Sequence, residues 1–163
     1  SDAESVLASL LADDQHRERR QFHLIDLDGR TACWTGQDCG PWAGHRHQRD
    51  LSVAGNCLMD QGVLEAMEQA FLTSDPSLKL GRRLMIALQA GEAAGGDRRS
   101  SLCTSAAVQV SGEAAFPLLD LRVDFHERAV EQLMEVYERS QALWAQEWRD
   151  ELSELPMLNR LVA

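Results

Sequence analysis

The stretch Phe22-His23-Leu24-Ile25-Asp26-Leu27-Asp28-Gly29-Arg30-Thr31-Ala32-Cys33-Trp34-Thr35 carries the reading of the fold. Asp28-Gly29 is a strong turn pair between two short runs suited to strands, so the pattern predicts a β-hairpin. Working outward, Gly36 to Asp50 reads as a loop because it carries Gly36, Gly40, Pro41 and Gly44. Leu51-Ser52-Val53-Ala54-Gly55-Asn56 then alternates like another strand until Gly55 interrupts it. Val63, Leu64, Met67, Ala70 and Phe71 mark one amphipathic helix. Leu80, Leu84, Ala87 and Leu88 mark a second, set off by Ser74-Asp75-Pro76 and closed by Gly91 and Gly95-Gly96. Upstream of the hairpin, Ser1-Asp2-Ala3-Glu4 has the form of a capping box with Ser1 as N-cap, ahead of Val6, Leu7, Leu10 and Leu11 at helical spacing.

Downstream, Leu102 to Val110 and Leu118 to Phe125 read as strands joined through Ser111-Gly112-Glu113. Val130, Leu133, Met134, Tyr137, Trp144, Trp148, Leu152 and Leu155 lie on one stripe of a single long helix. From Glu127 to Leu155 eight acidic residues face three arginines, the pattern of a solvated face over an apolar one. The order is helix, hairpin, strand, two helices, two strands, helix. Runs of strands alternating with pairs of helices favour antiparallel sheets flanked by helices over a doubly wound parallel sheet, so the fold class is α+β.

The chain has 163 residues, 44% apolar and 26% charged, enough for one domain with a sizeable core. Sixteen Lys and Arg against 26 Asp and Glu give a formal charge of −10, which argues against a nucleic-acid partner. No run approaches the roughly 20 apolar residues of a membrane span, and no secretory signal is visible, so neither membrane nor export is expected and the location is expected to be cytoplasmic. Cys33, Cys39, Cys57 and Cys103 lie far apart without paired spacing, which reads as reduced thiols.

Three groups could carry chemistry. The loop from Thr35 to His47 collects Cys39, Trp42, His45 and His47, but one thiolate with a His-x-His lacks a second paired ligand motif, so no metal is expected. A Cys-His nucleophilic pair with Cys39 or Cys57 is formally open, beside the plainer reading of each thiol as a small hydrophobe. At Gly55-Asn56 a glycine permits close backbone approach and an amide can donate hydrogen bonds, which suits an oxyanion hole or a simple bulge. In the segment Ala90 to Arg99, Asp97 with Arg98 or Arg99 could orient a carboxylate-bearing substrate or form a structural pair within the loop.

An ordered set of pieces resembles the bacterial and archaeal domain of unknown function 1028 family, placed in the Ntn (N-terminal nucleophile) hydrolase superfamily. The pieces are Arg20-Gln21, Asp28-Gly29-Arg30, Thr35-Gly36 with Cys39, Trp42-Ala43-Gly44-His45, Gly55-Asn56 with Leu58, and Val63-Leu64-Glu65-Ala66-Met67. They continue through Ala90-Gly91 to Gly95-Gly96-Asp97-Arg98-Arg99, Ser105-Ala106-Ala107 and Leu119-Asp120-Leu121-Arg122-Val123-Asp124, and together span about residues 1 to 140. Ala54, where the family has a polar Gln, and Ser100 to Thr104 depart from its pattern.

The resemblance implies an αββα sandwich over residues 1–140, two antiparallel sheets between helix layers, with 141–163 as a helical extension. It implies an amide-bond hydrolase in which an N-terminal Thr, Ser or Cys is the nucleophile and its own α-amine, with a pKa of about 8, is the base. Family members carry that residue on a leading segment, so this chain is expected to be a truncated, partial or processed piece that starts after it, with Ser1 opening a surface helix. On that reading Asn56 and Gly55 are oxyanion donors, Asp97, Arg98 and Arg99 orient the ligand, and Trp42 and His45 line the pocket wall. The substrate is expected to be a small amide or peptide-like compound, with no cofactor. The complete protein is expected to be a homodimer, or to pair with a companion chain carrying the missing strands, and Trp144 and Trp148 to cover an apolar surface or a subunit contact. The alternative is a non-catalytic binding or assembly module that keeps the fold.

Overall fold

In the computed structural model, which describes residues 2–99, 104–113 and 115–153, Asp2 caps the first helix. Its carboxylate Oδ1 accepts from the Ser5 N–H at 2.8 Å, satisfying one of the donors that a helix start leaves over. The predicted cap Ser1 lies outside the described residues. Helix α1 (Ala3–Asp13) turns Ala3 and Leu7 inward and leaves Val6 and Leu10 exposed. A single 3₁₀ turn, Arg17–Arg19, leads into β1 (Gln21–Ile25) and β2 (Thr31–Thr35), which pair antiparallel from Gln21↔Thr35 to Ile25↔Thr31 as the Asp28-Gly29 signal predicts. Asp26 organises the turn, its Oδ1 accepting from the N–H groups of Asp28 and Arg30.

Residues 36–50 are not all loop. Ala43–Gln48 form strand β3, which pairs with β4 (Leu51–Asn56) around the two-residue turn Arg49-Asp50, with Asp50 at a φ of 64°. Strand β3 contains no β-branched and no large apolar residue, so propensity conceals it. It is held by its ladder to β4 and by Arg46, whose Nε donates to Glu68 at 2.5 Å. Nor does Gly55 interrupt β4: it stays in the ladder opposite Gly44.

Two compact units result, the first comprising Ser1–Leu78 and Ile86–Ser100, the second Lys79–Met85 and Ser101–Ala163. In the first, α1 packs on the β1–β2 hairpin through Ala3, Leu7 and Ala32, with Leu11, Phe22, Leu24 and Trp34 around them. Helix α2 (Gly62–Thr73) packs Leu64 on Leu51 and Val53, with Trp42, Leu58, Met67 and Phe71 at the margin. Between these layers the two hairpins face each other, giving the order α1, β1–β2, β3–β4, α2. Burial of a side chain such as Leu64, which is fully enclosed, contributes about 1.5–3 kcal/mol. The hairpins are aligned end to end. Asp50 N–H donates to Gly29 O at 2.8 Å and Arg49 Nη2 to Asp28 O at 2.5 Å at the turn end, which leaves Gln21, Thr35, Ala43 and Asn56 at the open end.

Helix α3 (Leu80–Ala93) runs through Gly91 and closes only at Gly95-Gly96, both with positive φ. Gly91 does not end it because its bare Cα is a packing feature: a Cβ there would lie 2.6 Å from Met67 Cγ. In the second unit, β5 (Thr104–Val110) and β6 (Leu119–His126) pair antiparallel with an irregularity between Thr104 and Ala106. Leu102 and Cys103, predicted to begin that first strand, lie outside the described residues.

Helix α4 (Ala129–Ser140) covers this sheet, burying Ala129, Val130, Leu133 and Tyr137. The predicted single C-terminal helix is two. A turn at Gln141-Ala142 separates α4 from α5 (Leu143–Ser153), and Trp144 and Trp148 lie exposed instead of continuing the buried stripe. Ser140 Oγ donates to the Tyr137 carbonyl and Gln141 N–H is taken up by Tyr137 O and Glu138 O, which closes α4 locally. Leu155 of the predicted stripe is outside the described residues. Among the described residues no helix is long and apolar enough to cross a membrane, and Cys33, Cys39 and Cys57 are free thiols.

Candidate functional site

Strand alternation creates the site. Phe22, Leu24, Ala32 and Trp34 point from the first hairpin toward α1, so Gln21, His23, Thr31, Cys33 and Thr35 point to the other side. In β3, Arg46 turns toward α2 while His45 and His47 face the first hairpin. The layer between the hairpins is therefore polar. Thr31 Oγ1 is 2.9 Å from His47 Nδ1 and donates to Gln48 O at 3.1 Å. Ser52 Oγ lies 3.1 Å from His23 Nδ1 and 3.3 Å from Cys33 Sγ. Thr35 Oγ1 lies 2.8 Å from His45 Nδ1.

Gln21 closes the open end. Its Nε2 donates its two hydrogens to Gly44 O at 2.9 Å and Gly55 O at 3.0 Å, with Thr35 Oγ1 also 3.0 Å away, and its Oε1 accepts from Asn56 Nδ2 at 3.4 Å. One amide thus ties β2, β3 and β4 together. Sequence reasoning left Gln21 and Thr35 without a role. The signal that could have found them is the alternation of β1 and β2, which sets polar residues at every second position of strands that are apolar on the other side.

Beside this end, a cleft of about 500 Å³ is formed by residues 35–37 and 39–45. Trp42 and His45, predicted as pocket wall, both line it. Trp42 also packs against the Leu51, Val53 and Leu64 cluster, and its carbonyl accepts from Leu58 N–H at 3.3 Å. Burial, and then the charges that His47 and His23 would carry, holds the His45 pKa below the ordinary histidine value. Asn56 is exposed at the end of β4. Gly55 presents its carbonyl to Gln21, and a Cβ on it would meet Leu58 Cδ1 at 2.6 Å, so close backbone approach accounts for the glycine.

The segment with Asp97, Arg98 and Arg99 is tied to the same end through the backbone. Met59 N–H donates to Gly96 O at 3.2 Å, Arg98 N–H donates to Cys57 O at 2.9 Å, and Leu58 bridges Asp97. Asp97 is clasped by the Arg99 guanidinium, whose hydrogen bonds hold the carboxyl below its usual pKa; the same contact raises that of Arg99. The Arg98 side chain is exposed, with no hydrogen bond or ion pair among the described residues. Among the described residues neither Cys39 nor Cys57 is paired with an imidazole: Cys39 Sγ donates to Arg20 O at 3.1 Å, and Cys57 sits at a φ of 55° with Arg99 as its charged neighbour. The structure thus brings Trp42, His45, Gly55 and Asn56 to one end of the two hairpins and joins Asp97, Arg98 and Arg99 to it by main-chain bonds.

Residues 1–133 match a family described as Family of unknown function (DUF1028). Among solved structures, the chain is similar to the crystal structure of a protein from Silicibacter pomeroyi that carries the same family designation. The TM-score is 0.79 and the identity 32%, over 91% of this chain and 64% of that one. The chain therefore spans 64% of that protein's length. A comparison with curated proteins gives no match.

Proposed function

The chain belongs to the family of unknown function DUF1028, and from that footing we propose that it is the substrate-positioning part of an amide-bond hydrolase of the Ntn type. The observation that carries the reading is the first unit's layer order, α1, hairpin, hairpin, α2, around a polar interior that ends beside a cleft. That order is what an αββα sandwich requires of this stretch, and the candidate residues gather at one end of it. In this proposal the nucleophile, an N-terminal Thr, Ser or Cys, sits on a segment that precedes residue 1, for which the greater length of the Silicibacter pomeroyi protein leaves room.

The chemistry then divides between the two parts. The nucleophile's hydroxyl or thiol gives its proton to its own α-amine and attacks the amide carbonyl; the amine leaves with a proton and water releases the acyl group. Asn56 donates from Nδ2 to the oxygen that becomes negative, and Arg98, whose side chain has no internal partner among the described residues, meets the substrate's carboxylate. The test is hydrolysis of a panel of small N-acyl amino acids and amides by the full-length protein. Asn56→Ala is expected to lower kcat about 100-fold or more with little change in KM; an unchanged kcat removes Asn56 from the site.

One observation favours a second reading, a binding module without catalysis. The Gly55 carbonyl and the Asp97 carboxylate are both taken up by internal partners, Gln21 and Arg99, and so serve the fold itself. Saturable binding of the same compounds by the full-length protein, with no product after prolonged incubation, would decide for that reading.

A further inference from the structure

We propose that Gln21 and Thr35 hold the imidazole of His45 with its proton on Nε2, so that His45 offers a hydrogen-bond donor to a carbonyl or carboxylate oxygen of a ligand in the adjacent cleft. The available hydrogens fix the arrangement. Gln21 is oriented by two main-chain carbonyls, Gly44 O and Gly55 O, to which only its NH2 group can donate. That same NH2 faces Thr35 Oγ1 at 3.0 Å, and an amide nitrogen is no acceptor. The Thr35 hydroxyl hydrogen is thereby turned away from Gln21, and among the described residues the acceptor within its reach is His45 Nδ1 at 2.8 Å. A ring nitrogen that accepts is bare, so in the neutral ring the proton is on the other nitrogen, Nε2.

His47 shows how much this depends on the hydroxyl's other partner. Thr31 also stands next to an Nδ1, at 2.9 Å, but it spends its single hydrogen on the carbonyl of Gln48. Its oxygen must then accept, so His47 carries its proton on Nδ1. Two imidazoles on one face of one strand, with ring centroids 5.8 Å apart, thus hold opposite tautomers because their threonines have opposite neighbours. Burial of His45, with the imidazoles of His47 and His23 close by, favours the uncharged ring that this arrangement needs.

His45 lines the cleft together with Thr35 and Trp42. An uncharged N–H there selects an acceptor without demanding a full counter-charge, which suits an amide or carboxylate oxygen. As a ligand donor His45 serves the site proposed above, and to that extent the inference rests on it; the position of the proton is a property of the free protein.

Long-range proton–nitrogen correlation spectra of histidine-labelled full-length protein, recorded about one unit above the ordinary histidine pKa, read the tautomers directly. The expected result is Nε2–H on His45 and Nδ1–H on His47. Thr35→Val is expected to turn the His45 pattern into an average of both tautomers, and Thr35→Ser to restore the single one. N-acetylglycine, which carries both oxygen types, is expected to shift the His45 Nε2 signals in the wild type and to do so less in Thr35→Val. A proton on His45 Nδ1, an averaged ring in the wild type, or a pattern in folded Thr35→Val identical to the wild type overturns the assignment. No shift with N-acetylglycine overturns the donor role. A full-length protein that turns over no amide yet shows the single Nε2–H tautomer and the shift defeats only the hydrolase reading.

Discussion

At the scale of single residues, Gln21 carries more of the structure than its sequence position suggests. Replacing it by Leu leaves the half-buried Gly44 and Gly55 carbonyls, and the exposed Asn56 amide, without their partner. The expected cost is roughly 1–3 kcal/mol of stability, read as a lower denaturation midpoint with an unchanged denaturant dependence; a midpoint within error of the wild type would show that water replaces the amide at no cost. His45 makes a prediction in pH. Because the folded state holds its pKa below the ordinary value of 6.5, the unfolded chain takes up the proton first. Its contribution to stability is therefore fully present above pH 6.5 and is lost as the pH falls from there through the lowered value. His45→Gln is expected to flatten the stability profile in that window, and an unaltered profile would contradict the account. Of these residues the sequence marked His45 and Asn56 by type alone; Gln21 and Thr35 escaped because a hydrogen-bond hub is defined by what three strands bring near it.

At the scale of elements, legibility followed how far local chemistry decides. The β1–β2 hairpin was readable from Asp28-Gly29, and α2 from the spacing of Val63, Leu64, Met67 and Phe71, since each signal lies inside the element itself. Strand β3 was hidden, because Ala43 to Gln48 owe their conformation to β4 and to the Arg46 to Glu68 bond. The break between α4 and α5 was hidden for the converse reason. The apolar spacing runs on past Ser140, but Trp144 and Trp148 do not share the burial of Val130, Leu133 and Tyr137. Helix α2 owes its place to Leu64 in the cluster with Leu51 and Val53, so Leu64→Ala is expected to cost about 2–5 kcal/mol, measured by denaturant unfolding. A loss below about 1 kcal/mol would mean that this cluster does not hold the helix on its hairpin.

At the scale of the whole molecule, the order of strands and helices correctly led to an α+β chain with short antiparallel sheets, and membership of the DUF1028 family agrees with the ordered motifs from Arg20 to Asp124. The formal charge of −10 and the open cleft at one end of the two hairpins suit a small ligand that needs no basic surface to find it. What composition and motif order do not supply is the reacting group: in the proposal the residues gathered at the open end bind and orient the ligand, and the nucleophile with its base lies on a preceding segment. Mass spectrometry of the full-length protein, mixed briefly with a small carboxylate-bearing amide, decides between hydrolysis and binding alone. The account predicts a transient acyl adduct on the N-terminal residue, with free amine released in equal amount. Bound amide with neither adduct nor released amine would contradict it.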